Sequence, residues 1–193
     1  MKVTGICMAA AIAAGVVTAS HVGAQGVEED WSLVLKKVTE VLDIYPRVKG
    51  IQVVNDMGKH MFDAYAGDWI PDTPARRKEV LKRLGSWRSF SNSSPVEGVK
   101  YAVQRYFARD KRISVYVFGD DFSRGSINAV LSEILNTNRK DSSGRSRVRI
   151  HAFGFPVLFQ VQKARRNRER FANLMRVLAE QNDGSFVGLT VLK

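Results

Sequence analysis

The chain has 193 residues, with 30 Lys and Arg against 19 Asp and Glu, a formal net charge of +11 and a single cysteine. That length fits one domain and is enough to bury a core without staples. The lone Cys7 excludes a disulfide framework and any zinc site built on cysteines.

Residues 1–24, MKVTGICMAAAIAAGVVTASHVGA, carry one early charge at Lys2, an apolar, Ala-rich run from Ile6 to Thr18, and small residues at Val22, Gly23 and Ala24. This is the layout of a secretory signal peptide, with cleavage expected after Ala24. The run is shorter than the ~20 residues a spanning helix needs, and no later segment is long and apolar enough. The expectation is a periplasmic or secreted chain with no transmembrane segment after signal cleavage. Cys7 would leave with the segment, so the mature chain has no thiol nucleophile.

Residues 25–193 alternate helical and strand patterns. DWSLVLKKVTEVLDIYP places Trp31, Val34, Leu35, Val38, Val41, Leu42 and Tyr45 at helical spacing, with Pro46 as its stop. VKGIQVVND predicts a short buried strand closed by a turn at Asn55-Asp56. A loop with Tyr65, Trp69 and Pro71 leads to DTPARRKEVLKRLGSW, a helix capped by Thr73, with Pro74 in its first turn and Gly85 at its end. In SNSSPVEGVKYAVQRYF, Ser94 and Glu97 read as a capping box, with Val99, Val103, Tyr106 and Phe107 facing inward.

The run KRISVYVFGDDFSRGS predicts a strand over 113–118 that ends in adjacent carboxylates. A helix follows with Ile127, Val130, Leu131, Ile134 and Leu135 on its inner face. SRVRIHAFGF is a further strand, and RFANLMRVLAEQNDG a helix with Phe171, Leu174, Met175, Leu178 and Ala179 inward and Gly184 as its stop. SFVGLTVL is the last strand. Strands separated by helices predict an α/β fold, a three-layer Rossmann-like sheet, mainly parallel, with helices on both faces. Ligands in such sheets sit at the carboxyl ends of the strands, where Asp120-Asp121 and Asn55-Asp56 are expected.

The order of pieces over residues 27–192 resembles a von Willebrand factor A-like (vWA) domain. VRIHAFGFP, a basic linker and FANLMRVLAEQNDGSFVGL resemble that family's last strand–helix–strand unit. ISVYVFGDDF resembles the strand ending in its third metal loop, with Asp120 at the acidic position. SSPVEGVKYAV resembles the second loop, with Ser94 where a Thr usually sits. The resemblance implies a divalent ion held by a D-x-S-x-S loop after the first strand, together with residues of these two later loops. NDMGKHM aligns Asp56 with the motif's acid, but Gly58 and His60 replace its serines, and residues 51–55 fit the family's second strand better. In that register the first strand and its metal loop belong before Asp30, where the signal-like segment stands. VVTASHV can be laid on the slot with Thr18 at the acid, but it is poor strand sequence. The expectation is therefore a domain without the first metal motif, its sheet missing the first strand unless strands re-pair or another chain supplies one.

The functional expectation is an exported, non-catalytic protein-binding module with an incomplete metal-ion-dependent adhesion site. Ser94 and Asp120 would be residual metal ligands, taking Mg²⁺ or Ca²⁺ weakly if at all. Asp56, Asp121, Arg165, Arg166 and Arg168 would contact the partner. Each has a plain structural alternative: Ser94 as a helix cap, the three acids as turn formers, the arginines as a solvated face. The sequence has no G-x-S-x-G elbow, phosphate-binding G-x-x-x-x-G-K-[ST] loop or H-E-x-x-H pair, so no enzyme is expected. Two other functions stay open. Ten Lys and Arg against two acids between Arg139 and Arg170 would suit a polyanion. Asp56 and Asp120 at adjacent strand mouths would suit a Mg²⁺-dependent phosphohydrolase. His60 and His151 are isolated in the sequence and read as packed or half-exposed residues.

Overall fold

The computed structural model describes residues 11–12, 25–87, 95–155 and 162–189. Its centre is a parallel sheet of four strands in the order β1 (Ala11–Ile12), β4 (Ile113–Gly119), β5 (Val148–Gly154) and β6 (Phe186–Gly188). A separate antiparallel ribbon pairs β2 (Gly50–Ile51) with β3 (Ile70–Pro71). Among the described residues there are five α-helices: α1 (Gln25–Ile44), α2 (Pro74–Ser86), α3 (Val96–Tyr106), α4 (Ile127–Thr137) and α5 (Gln162–Gln181).

The alternation of β4 divides the core into two layers. Ile113, Val115 and Val117 point to one face, where they meet Val99 and Val103 of α3, Ile134 of α4 and Phe171 and Leu174 of α5. Tyr116 and Phe118 point to the other, against Val34, Val38 and Val41 of α1 and Val80 and Leu84 of α2. All seven residues of β4 are buried, as a strand covered on both faces requires. The structure is thus a mixed α/β fold around a parallel sheet, which meets the Rossmann-like expectation in part.

The helices follow their predicted inner faces closely. Phe171, Leu174, Met175, Leu178 and Ala179 of α5 are all buried, as are Val130 and Ile134 of α4. Leu135 is 43% exposed and lies off the packed stripe. Thr73 caps α2 by accepting the Arg76 amide at 3.2 Å, and Pro74 is the first helical residue.

Several expectations are corrected. Gly85 lies within α2, whose last residue is Ser86; a Cβ there would only touch Leu35 of α1. The residue before α3 is Pro95, with no side-chain cap, and Ser94 lies outside the described residues. The loop read around Tyr65 and Trp69 contains a 3₁₀ turn at Asp63–Tyr65 and the strand β3. Most of the basic linker before Phe171 is helix, since α5 begins at Gln162. Residues 162–170 are so rich in Arg that they show no apolar stripe.

The first strand is the largest change. The seat beside β4 is filled by Ala11 and Ile12, which pair in parallel with Val117 and Phe118. These residues lie inside the segment read as a signal peptide. Thr18, offered above as a stand-in for the motif's acid, lies outside the described residues.

The amino-terminal ends of the strands form a foot tied by buried amides. Asn138, which ends α4, donates from Nδ2 to the Val148 carbonyl and accepts the Val148 amide at Oδ1, so its side chain pairs with β5 like a strand. The same Nδ2 donates to Asn182 Oδ1 at 2.7 Å, and Asn182 Nδ2 donates to the Leu178 carbonyl. Both asparagines are buried. The Gly184 amide returns to the Ala179 carbonyl, closing a Schellman turn. Its left-handed position is held by Asp183 at φ 55°, and not by Gly184. Gly184 is needed for a different reason: a Cβ there would stand 1.9 Å from the Ile150 carbonyl oxygen.

Candidate functional site

The opposite pole, at the carboxyl ends of the strands, carries the acids. Gly119, Gly154 and Gly188 stand in register across β4, β5 and β6, so three strand mouths open side by side. The Gly119 carbonyl accepts the Phe155 amide, and the Gly154 carbonyl accepts the Leu189 amide. Asp120 and Asp121 follow β4 directly and are each half-buried. The loop beyond them is anchored by Phe122, which is fully buried. Arg170 of α5 places its guanidinium 5.2 Å from the centre of the Phe122 ring. It also donates to the Phe122 and Gly125 carbonyls, at 3.2 and 2.5 Å. Gly125, at φ 91°, turns the chain so that Ser126 can cap α4. The acidic pair is thus held between a buried strand end and a pinned loop.

Asp56 is placed differently from the expectation. It is fully buried in the turn after β2, so its carboxylate is not offered to a partner. Asn55 Oδ1 accepts the Met57 and Lys59 amides, and Gly58 adopts φ 82°. The Asp56 carbonyl accepts the Gly98 amide at 2.8 Å, satisfying one of the orphan donors in the first turn of α3. The backbone of this turn therefore helps to position the start of α3. Among the described residues no group of three or more His, Cys, Asp or Glu could hold a metal ion. Of the two metal residues read from the sequence, Asp120 is described and Ser94 lies outside the described residues.

The basic run is split by the fold. Arg165, Arg166 and Arg168 are exposed on α5, within two turns of Arg170 and hence on the acidic side of the sheet. Residues 139–149 lie at the foot, where β5 begins. There Arg145 pairs with Asp141 at 3.6 Å, Lys140 with Asp183 at 3.8 Å, and Arg147 lies over the Phe107 ring. A stripe continuous in sequence is two separate patches in space.

No family model matches the chain, and no curated protein matches it. Among solved structures, it is similar to the conserved hypothetical protein BatB from Bacteroides thetaiotaomicron, at 13% identity and a TM-score of 0.49. That match covers 97% of this chain and 90% of the other. No described helix is long and apolar enough to cross a membrane.

Both histidines of the described residues sit in polar clusters that the sequence did not reveal. His60 Nε2 accepts the Gly67 amide at 3.1 Å, so the Tyr106 hydroxyl, 2.7 Å away, donates to the same nitrogen and the ring proton resides on Nδ1. Tyr101 stands edge-on to the ring at 5.4 Å. Burial holds the His60 pKa below its ordinary value; Asp63 opposes this and Arg105 adds to it.

His151 Nδ1 accepts the Ser185 amide, and its ring stacks on Tyr116 at 4.9 Å. Burial lowers its pKa too, with Arg149 adding to the effect. Tyr116 in turn shares a 2.7 Å hydrogen bond with Tyr45, and burial pushes its phenol well above the ordinary range. The tyrosine and serine partners of the two histidines come from distant parts of the chain, which is why spacing gave no signal.

Proposed function

We propose that this chain is a non-catalytic protein-binding module of vWA-like type, exported from the cytoplasm, which engages its partner through the carboxyl rim of the sheet. The observation that carries this reading is the placement of Asp120 and Asp121 at the mouth of the fully buried β4. Open α/β sheets bind ligands there because loops diverge and strand-end backbone groups lie near the surface. The exposed arginines of α5 stand on the same side, so the rim offers both signs of charge. A protein surface with mixed charge matches that pattern better than a polyanion does.

Asp120 is the residue best placed to meet a partner's cation or a weakly held divalent ion. Supporting partners such as Ser94 would have to come from residues outside those described. Export is the reading of the N-terminal segment, with its single lysine, apolar run and Ala24 cleavage position.

The test is site-specific photocrosslinking in the native host, with the photoreactive side chain at Asp120, Asp121 or Arg166, and at Arg145 as a foot control. Discrete adducts of one protein from the rim positions alone are expected. Equal adducts from Arg145, or none from the rim, would overturn the reading. Titration calorimetry with Mg²⁺, Mn²⁺ and Ca²⁺ addresses the ion separately, and micromolar binding would contradict an incomplete site.

A further inference from the structure

One edge of β4 is paired along its whole length, seven residues against seven of β5. Among the described residues, the other edge meets only Ala11 and Ile12, opposite Val117 and Phe118. The β2–β3 ribbon belongs to a different sheet and does not fill this seat. Val117 and Phe118 are both fully buried, and they point to opposite faces, into the two halves of the core. A strand lying here must therefore be apolar on both faces. Without one, backbone donors and acceptors in the interior would lose their partners. Ala11 and Ile12, which fill the seat, lie within a sequence, MAAAIAAGVV over 8–17, that is apolar throughout. Two large rings already occupy the α1 and α2 side of the sheet here, with Phe118 stacked on Phe153 at 5.0 Å.

We infer that the edge of β4 at Val117–Phe118 is a strand-accepting site, and that its occupant is the chain's own N-terminal segment. The residues that read as an export signal are at the same time a strand of the folded domain. A chain trimmed after Ala24 accepts that segment in trans, because the pairing is made by backbone hydrogen bonds and needs no covalent tether. This goes beyond the rim reading and does not depend on what the rim binds.

Two measurements on the full chain test it. In a Cys7→Ser background, Ala11→Cys with Val117→Cys should form a disulfide on mild oxidation. Ala11→Cys with Val115→Cys, two residues out of register, should stay reduced. In a second variant a protease recognition sequence is inserted between Ser20 and His21, and the folded protein is cut. The N-terminal fragment should co-elute with the body on gel filtration, and a fluorescent peptide of residues 6–18 should exchange into the cut protein with a rise in anisotropy. Release of the fragment together with unfolding of the body would also support the assignment, since the strand is then structural. A released fragment with an unchanged melting temperature of the body would overturn it. So would failure of the peptide to enter a body that has lost its fragment and stayed folded, or equal disulfide yields from the two cysteine pairs. If the cysteine variants do not fold, as judged by circular dichroism, the cut chain alone decides.

Discussion

The Arg77 guanidinium forks onto the Asp72 carboxylate, Nε to Oδ1 at 2.6 Å and Nη2 to Oδ2 at 2.8 Å. The same guanidinium donates to the Leu42 and Tyr45 carbonyls, at the end of α1, while Asp72 accepts the Val48 amide. One ion pair thus fastens the last turn of α1 to the chain before β2 and to the start of α2. A cation at the carboxyl end of a helix also meets its partial negative charge. Hydrogen bonding from Arg77 holds the Asp72 carboxyl below its ordinary pKa. Both side chains are largely buried. Removing one partner leaves the other desolvated, so Arg77→Ala should cost about 3 kcal/mol. Arg77→Lys keeps the charge but loses the fork, and should recover less than half of that. Urea unfolding midpoints check both.

The Asn138–Asn182 clamp gives a second prediction. Asn138→Ala strands the Val148 amide and carbonyl in the interior, and a loss of about 2–4 kcal/mol is expected. Leu135→Ala, three residues away but off the packed stripe, should change stability by less than about 0.5 kcal/mol. Equal effects of the two substitutions would show that the clamp contributes little.

Gly184 and Asp183 should respond in opposite ways to substitutions that intuition would rank otherwise. Gly184→Ala drives a methyl group onto the Ile150 carbonyl and must displace the α5–β6 turn from β5. A loss beyond about 3 kcal/mol, or no folded protein, is expected. Asp183→Asn keeps a side chain that tolerates the left-handed conformation and can still accept the Ser146 amide. Its midpoint should lie within about 1 kcal/mol of the parent.

Stability should also depend on pH near neutrality. The pKa of His60 and of His151 is lowered in the folded protein relative to 6.5, chiefly by burial. Lowered folded pKa values mean that the unfolded chain binds more protons below about pH 6.5. The stabilisation is therefore complete above that pH and declines as the pH falls toward the folded values. Melting temperature should drop between pH 7.5 and 5.5, and His60→Gln should flatten the drop. Asp72 titrates in the acid range, below 3.8, and does not confound this window.

Much of the sheet and most inner helix faces could be read from the sequence. β4 and the inner face of α5 announced themselves because burial on both faces, or on one stripe, leaves a strong periodic record. The ribbon strand Ile70–Pro71 left no such record, being two residues long and ending in a residue that cannot donate to a ladder. The start of α5 was hidden by its arginines, which carry helix propensity but no apolar stripe. The acidic pair at Asp120-Asp121 was legible because a strand's end could be located. The burial of Asp56 was not, since its turn is covered by α3, more than forty residues later in the chain. The strand at Ala11–Ile12 was masked by a second pattern, the signal-like one, that the same residues satisfy.

The two poles of the sheet are built to different standards. The foot is locked by interior amides, a reversed turn and a glycine with no room to change, whereas the opposite loops hang from Phe122 and Arg170. Randomising residues 120–121 and 123–124 while leaving those two anchors untouched should therefore yield a library that still folds, whereas the same diversity placed at 138 and 182–184 should yield mostly aggregates. In that sense one end of the sheet tolerates change and the other does not.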